Sequence, residues 1–110
     1  MPLSERVRIE IFIPDAPDVS YRVLRQEIAS ELSYAFGGCT ETSAAGKYCS
    51  PQGRIVSDNI RILFPDAPIQ FERDQVTLSQ YVDWVKHAAQ QSLENEDEVL
   101  ISVYPVCHGD

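Results

Sequence analysis

The feature that most constrains this chain is a strand ending written twice. Pro-Asp-Ala-Pro runs from Pro14 to Pro17 and again from Pro65 to Pro68. Aligned on that motif, the ten residues ending at Pro17 match the ten ending at Pro68 at six positions, and two of the mismatches exchange one large apolar residue for another. Proline brings no N–H to a sheet ladder and fixes its own φ, so a strand stops at each copy. The chain is expected to be two copies of strand, kinked exit and helix, set 51 residues apart, with pseudo-repeats over about 6–49 and 54–107. At 110 residues the whole is expected to be one domain around one core.

Periodicity fills in the elements. Val7, Ile9, Ile11 and Ile13 alternate with Arg8 and Glu10 after a short polar lead, the period of a strand with one buried face. Phe12 breaks the polar side of that alternation, which suits a strand covered on both faces near its end or a patch used in assembly. Beyond Pro17, Asp18 or Ser20 can accept from the free N–H groups of a helix start. Leu24, Ile28, Leu32 and Ala35 then form the stripe of an amphipathic helix that Gly37 and Gly38 stop.

Residues 39–49 read as a second strand, bent where Ala44, Ala45 and Gly46 suggest a bulge. Ser50-Pro51-Gln52-Gly53 suits a tight hairpin turn, and the next strand returns antiparallel over 54–64 with Ile60, Ile62 and Phe64 on its core face. Thr77-Leu78-Ser79-Gln80 has the form of a capping box, and apolar residues at helical spacing follow as far as Leu93. Val99, Ile101 and Val103 alternate into a last strand that Pro105 curtails.

Strand, helix, strand, strand, helix, strand is most economically assembled as an α+β, ferredoxin-like βαββαβ sandwich, a four-stranded antiparallel sheet with two helices on one face. The repeated strands are expected side by side and parallel at its centre. The other face stays open, and Phe12, Leu63, Leu100 and Tyr104 are expected to line it as a self-association surface.

Composition excludes several functions. Seventeen acidic against nine basic residues give a charge of −8, and binding to a phosphate backbone draws on Lys and Arg, so no nucleic-acid partner is expected. Much of the acidity sits in Glu94, Glu96, Asp97 and Glu98, read as a solvated loop. No apolar run reaches membrane-spanning length and no leader is recognised, so neither a membrane nor export is expected. Cys39, Cys49 and Cys107 are odd in number and lack a Cys-x-x-Cys pair, which fits reduced thiols in a cytoplasmic protein.

Candidate chemistry is sparse. With parallel central strands, Asp15 and Asp66 would meet beyond their carboxyl ends, as a carboxylate pair for a metal or for acid/base work requires, although both also serve as turn residues. Lys47 and Tyr48 offer a cation and an aromatic together on an edge strand. Cys107 and His108 could hold a soft metal with Cys49, since the second and last strands are expected to finish at the same end of the sheet, but as edge strands they stand a sheet width apart. His87, Tyr81 or Asp15 would serve a small dimeric ferredoxin-like enzyme doing acid/base or cofactor-free oxidative chemistry.

The stretches Val-Arg-Ile-Glu-Ile-Phe-Ile-Pro ending at Pro14 and Leu-Ile-Ser-Val-Tyr-Pro-Val ending at Val106 resemble strands of the PII-type signalling proteins and their PII-like relatives. That resemblance implies ferredoxin-like subunits in trimers, with nucleotides or other small effectors in the clefts between them. The family's long second loop is here a turn at Ser50 to Gly53, and its glycine- and lysine-containing loop is replaced by the acidic run. No nucleotide-binding residue carries over. Gly37-Gly38 with Thr40, then Gly46 with Tyr48, is also similar to small uncharacterised bacterial domains.

The chain is therefore expected to be a non-enzymatic module without cofactor. It would form a dimer or trimer and bind a small effector or a protein partner, with Lys47, Tyr48, Asp15 and Asp66 as contact residues. The enzyme and a Cys/His metal-handling protein are the alternatives.

Overall fold

The computed structural model describes residues 2–93 and 99–109. The acidic run at 94–98 lies outside them. In chain order the elements are β1 (Leu3–Pro14), α1 (Val19–Phe36), β2 (Thr40–Cys49), β3 (Ile55–Phe64), the two-residue β4 (Asp66–Ala67), α2 (Gln75–Ser92) and β5 (Leu100–Gly109). They make the ferredoxin-like α+β sandwich.

Local chemistry explains most boundaries. The Asp18 carboxylate accepts from Ser20 N at 2.8 Å and opens α1, and Gly37, at φ 87°, closes it by donating its N–H to Ser33 O. Gly53 N donates to Ser50 O at 2.9 Å, and the Ser50 hydroxyl accepts from Arg54 N, so the turn forms where proline and glycine place it.

Four local expectations are corrected. β1 starts at Leu3, because the polar lead pairs with the end of β5 from Leu3↔Gly109 onward. β2 pairs with β3 from Thr40↔Phe64 to Cys49↔Ile55 without a skipped residue, so there is no bulge at Gly46. α2 begins two residues before Thr77, with Asp74 at its N-cap, while the Asp74 carboxylate is taken by Gln70 N and Arg73. β5 runs through Pro105, opposite Val7, which an edge strand tolerates where the proline nitrogen turns outward.

The central strands are adjacent but antiparallel, not parallel. α1 returns the chain so that β2 runs with β1, the hairpin then reverses it, and β3 slots between them. Ile11↔Leu63, Phe12↔Ile62, Ile13↔Arg61 and Pro14↔Ile60 fix the register, and Val7↔Ala67 and Arg8↔Asp66 continue it beyond Pro65. Sheet order is β2, then β3 with its continuation β4, then β1, then β5. The repeated segments are thus related by a pseudo-two-fold through the sheet; the first Pro-Asp-Ala-Pro motif leaves the end of β1, and the second lies beside its middle, at Val7 and Arg8.

Val7, Ile9, Ile11 and Ile13 of β1 are fully buried with Leu24, Ile28 and Leu32 of α1 and Leu78, Val85, Ala88 and Ala89 of α2, so both helices cover one face. Each Val, Leu or Ile among them contributes about 1.5–3 kcal/mol by leaving water. Leu63 belongs to this core, at 0% exposure. It stands opposite Ile11 and points the same way, so it is not on the open face, and Ile60, Ile62 and Phe64 take the side expected for it. Phe36, rather than the exposed Ala35, supplies the last core contact of α1.

Candidate functional site

Two places on the sheet gather polar side chains. The first is a cleft of about 700 Å³ at the end of β1, lined by Pro14, Asp15, Tyr21, Lys47, Tyr48, Asp58, Asn59 and Leu100 among others. It exists because β1 stops at Pro14, opposite Ile60, while β2 and β3 run on together to Cys49 and Ile55. The ribbon formed by residues 46–49 and 55–58 leaves the body, and the cleft is the notch where β1 would have continued. Asp15 N donates to Asn59 O at 2.9 Å as the chain turns away, and the Asp15 carboxylate accepts from Arg61 Nε at 3.1 Å.

Three of the four expected contact residues, Asp15, Lys47 and Tyr48, therefore share one cleft. Lys47, the Tyr48 hydroxyl and Asp58 have no side-chain partner among the described residues. Tyr48 is half exposed. The arrangement offers a cation, a carboxylate, an aromatic face and an apolar floor to a small molecule.

Asp66 is elsewhere. With the central strands antiparallel, it sits beside Arg8 and Asp15 beside Asn59, seven residues along β1 or roughly 23 Å away. The carboxylate pair does not form. Asp66 instead anchors the second cluster, on the open face: Arg8 Nε and Nη2 donate to its two oxygens at 2.6 and 2.8 Å, and His108 Nε2 lies 3.0 Å from Oδ2. Arg8 also stacks over the Phe64 ring, 4.4 Å from its centroid, and the Tyr104 hydroxyl donates to Glu10.

Titration follows these contacts. The Arg8 hydrogen bonds hold the Asp66 carboxyl below the usual range, against the opposing effect of its partial burial. Arg8 is pushed up by the same bonds. Donation to Glu10 raises the Tyr104 hydroxyl. Burial raises the Cys39 thiol.

The other candidates scatter. β2 and β5 run in opposite directions, so Cys49 and Cys107 finish at opposite ends of the sheet, not at the same end, on the order of 40 Å apart. Cys107 and His108 are successive strand residues and face opposite sides. Among the described residues no three His, Cys, Asp or Glu side chains come close enough to hold a metal. His87 is exposed on α2, and Tyr81 packs its ring on Phe36 at 4.7 Å. Neither lines the cleft that contains Asp15.

No protein-family model and no curated protein matches the sequence. Solved structures do. CutA from Synechococcus elongatus, in complex with Bis-Tris, superposes with a TM-score of 0.59 at 13% identity, over 98% of this chain and 90% of that one. The PII-like protein CPII from Thiomonas intermedia, bound to ADP, AMP and bicarbonate, superposes with a TM-score of 0.55 at 12% identity, over 99% of this chain and all of that one. The fold is that of CutA and the PII-like proteins. Within it the notch beyond Pro14 and the array around Asp66 are features of this chain's own side chains. Sequence reasoning missed Tyr21, Asp58 and Asn59 in the cleft and Arg8, Glu10 and Phe64 on the open face. An antiparallel pairing of the repeats would have placed Arg8 beside Asp66.

Proposed function

We propose that this protein is a non-enzymatic regulatory module that binds a small effector in the cleft beyond Pro14. Lys47 would meet an anionic group, Tyr48 and Tyr21 a ring or methylene face, and Asp58 a donor. The observation that carries this is the convergence on one notch of about 700 Å³ of Lys47, Tyr48 and Asp58, whose side chains have no partner among the described residues. The open face, with Phe12, Leu100 and Tyr104, would be the surface on which the module self-associates. Unpaired thiols suit a reducing, cytoplasmic setting.

The fold neighbours supply the probes: ADP, AMP and bicarbonate from the PII-like protein and Bis-Tris from CutA. Each is titrated into the isotope-labelled protein while backbone amide shifts are followed. At least one should move the amides of Tyr21, Lys47, Tyr48 and Asn59 saturably, and Lys47→Ala should weaken an anionic probe about tenfold. Unmoved cleft amides with all four probes at millimolar concentration would overturn the assignment. Light scattering tests self-association through the open face, which Leu100→Glu should weaken.

A further inference from the structure

β3 has an unfilled edge. The Arg54 carbonyl accepts from Ser50 N at 2.7 Å and so faces β2, whereas the Asn59 carbonyl accepts from Asp15 N and faces away from β2. Alternate residues of a strand turn their backbone groups the same way. Ile55 and Ser57 therefore direct both N–H and C=O into the notch, where no strand among the described residues pairs with them. A ribbon of two strands has little stability of its own in water. This one also exposes Ile55 and Tyr48, at 71% and 51%.

We infer that the β2–β3 ribbon of one molecule pairs with that of a second copy, β3 against β3 and antiparallel, about a two-fold axis at Val56. That register places Ile55 opposite the partner's Ser57, and Ser57 opposite the partner's Ile55. Each such pair exchanges two backbone hydrogen bonds, so four bonds satisfy every free group on the two edges and leave Asn59 to Asp15. The two Val56 side chains meet across the axis in the closer, non-hydrogen-bonded geometry, flanked on the same face by each copy's Tyr48.

Charge selects the second copy over any other extended segment. The same register sets Arg54 opposite the partner's Asp58, and Asp58 opposite the partner's Arg54. Neither side chain has an ionic partner within its own chain among the described residues. The ribbon carries Lys47, Arg54 and Asp58, close to charge balance on a chain of charge −8, so two ribbons can meet away from most of the chain's acidic repulsion. The partner's turn would then wall the cleft that Lys47 and Asp15 line. The pairing needs no effector, and because it seats the partner's strand against Ser57 and Asp58 in the same notch, an effector bound there would compete with it.

Sedimentation equilibrium of the full chain tests it, with folding checked by circular dichroism. Arg54→Glu sets like charges in register twice and should raise the dissociation constant at least about tenfold. The double variant Arg54→Glu with Asp58→Lys restores opposite charges across the axis and should recover association. Ser57→Pro removes an outward N–H, leaves the β2 ladder intact and should also dissociate the pair. A monomer at about 100 μM, or an assembly whose mass and affinity ignore Arg54→Glu, would overturn the inference. An assembly that Leu100→Glu breaks and Arg54→Glu does not would assign self-association to the open face alone.

Discussion

Replacing Asp66 by Asn isolates the polar array of the open face. The wild-type carboxylate accepts two hydrogen bonds from Arg8 and faces His108, with 18% of the Asp66 side chain and 28% of the Arg8 side chain exposed. A hydrogen bond to a charged group is worth about 1.5–3 kcal/mol, and a fully exposed ion pair about 0–1. Three-quarters burial puts this pair between those limits. Asparagine keeps one acceptor oxygen, loses the second and leaves the guanidinium without its counter-charge, so Asp66→Asn should cost about 2 kcal/mol at pH 7. For a chain of this size that lowers Tm by about 8 °C.

The sign with pH follows from the direction of the shift. The Asp66 carboxyl is held lower in the folded protein than in the unfolded chain. Its contribution is therefore full above the unfolded value near pH 4 and fades as the pH falls through the folded value. Urea unfolding of both proteins at several pH values should show a gap of about 2 kcal/mol that is constant above about pH 5 and shrinks below about pH 4. A gap under about 0.5 kcal/mol at neutral pH, or one equally wide at pH 3, would refute the ion-pair account.

Leu63→Ala should destabilise by about 2–5 kcal/mol in urea titrations, and Ile62→Ala, one residue along on the open face of the monomer, by clearly less. Equal losses would mean that the faces of β3 are misassigned. Asp18→Ala removes the acceptor for Ser20 N and should cost about 1 kcal/mol in thermal melts, with Asp18→Asn nearly neutral. Tyr104 donates to Glu10 and its hydroxyl is raised, so that bond contributes at neutral pH and is lost as the pH rises through the folded value above about 10. Absorbance titration should show one tyrosine ionising later than the rest, and Glu10→Gln, which removes the charge but keeps an acceptor, should shorten the lag.

The elements themselves were legible because each rests on local chemistry. Alternation marked Val7 to Ile13, three-and-four spacing marked Leu24, Ile28 and Leu32, and Gly37 and Ser50 to Gly53 marked the stops. The duplication implied adjacent central strands, and they are adjacent. Their relative direction was not legible, because a repeat says that two segments are alike and not how they pair. That one ambiguity separated Asp15 from Asp66 and sent Cys49 and Cys107 to opposite ends of the sheet. The core face of β3 was also misjudged, since Ile62 and Leu63 are equally apolar.

The sequence by itself determined the order of elements, the two-layer α+β class and the core face of β1, because strand period, helix period and proline or glycine punctuation act over a few residues. Tertiary structure decided the rest. β3 enters between β1 and β2 in the reverse direction, which sets Arg8 on Asp66, brings Asp15 to the ribbon with Lys47 and Tyr48, and leaves the edge at Ile55 and Ser57 without a pairing strand among the described residues. The Arg8–Asp66 contact joins residues 58 positions apart in the chain. No local preference encodes such contacts, and they follow only from the strand order and register that close the core.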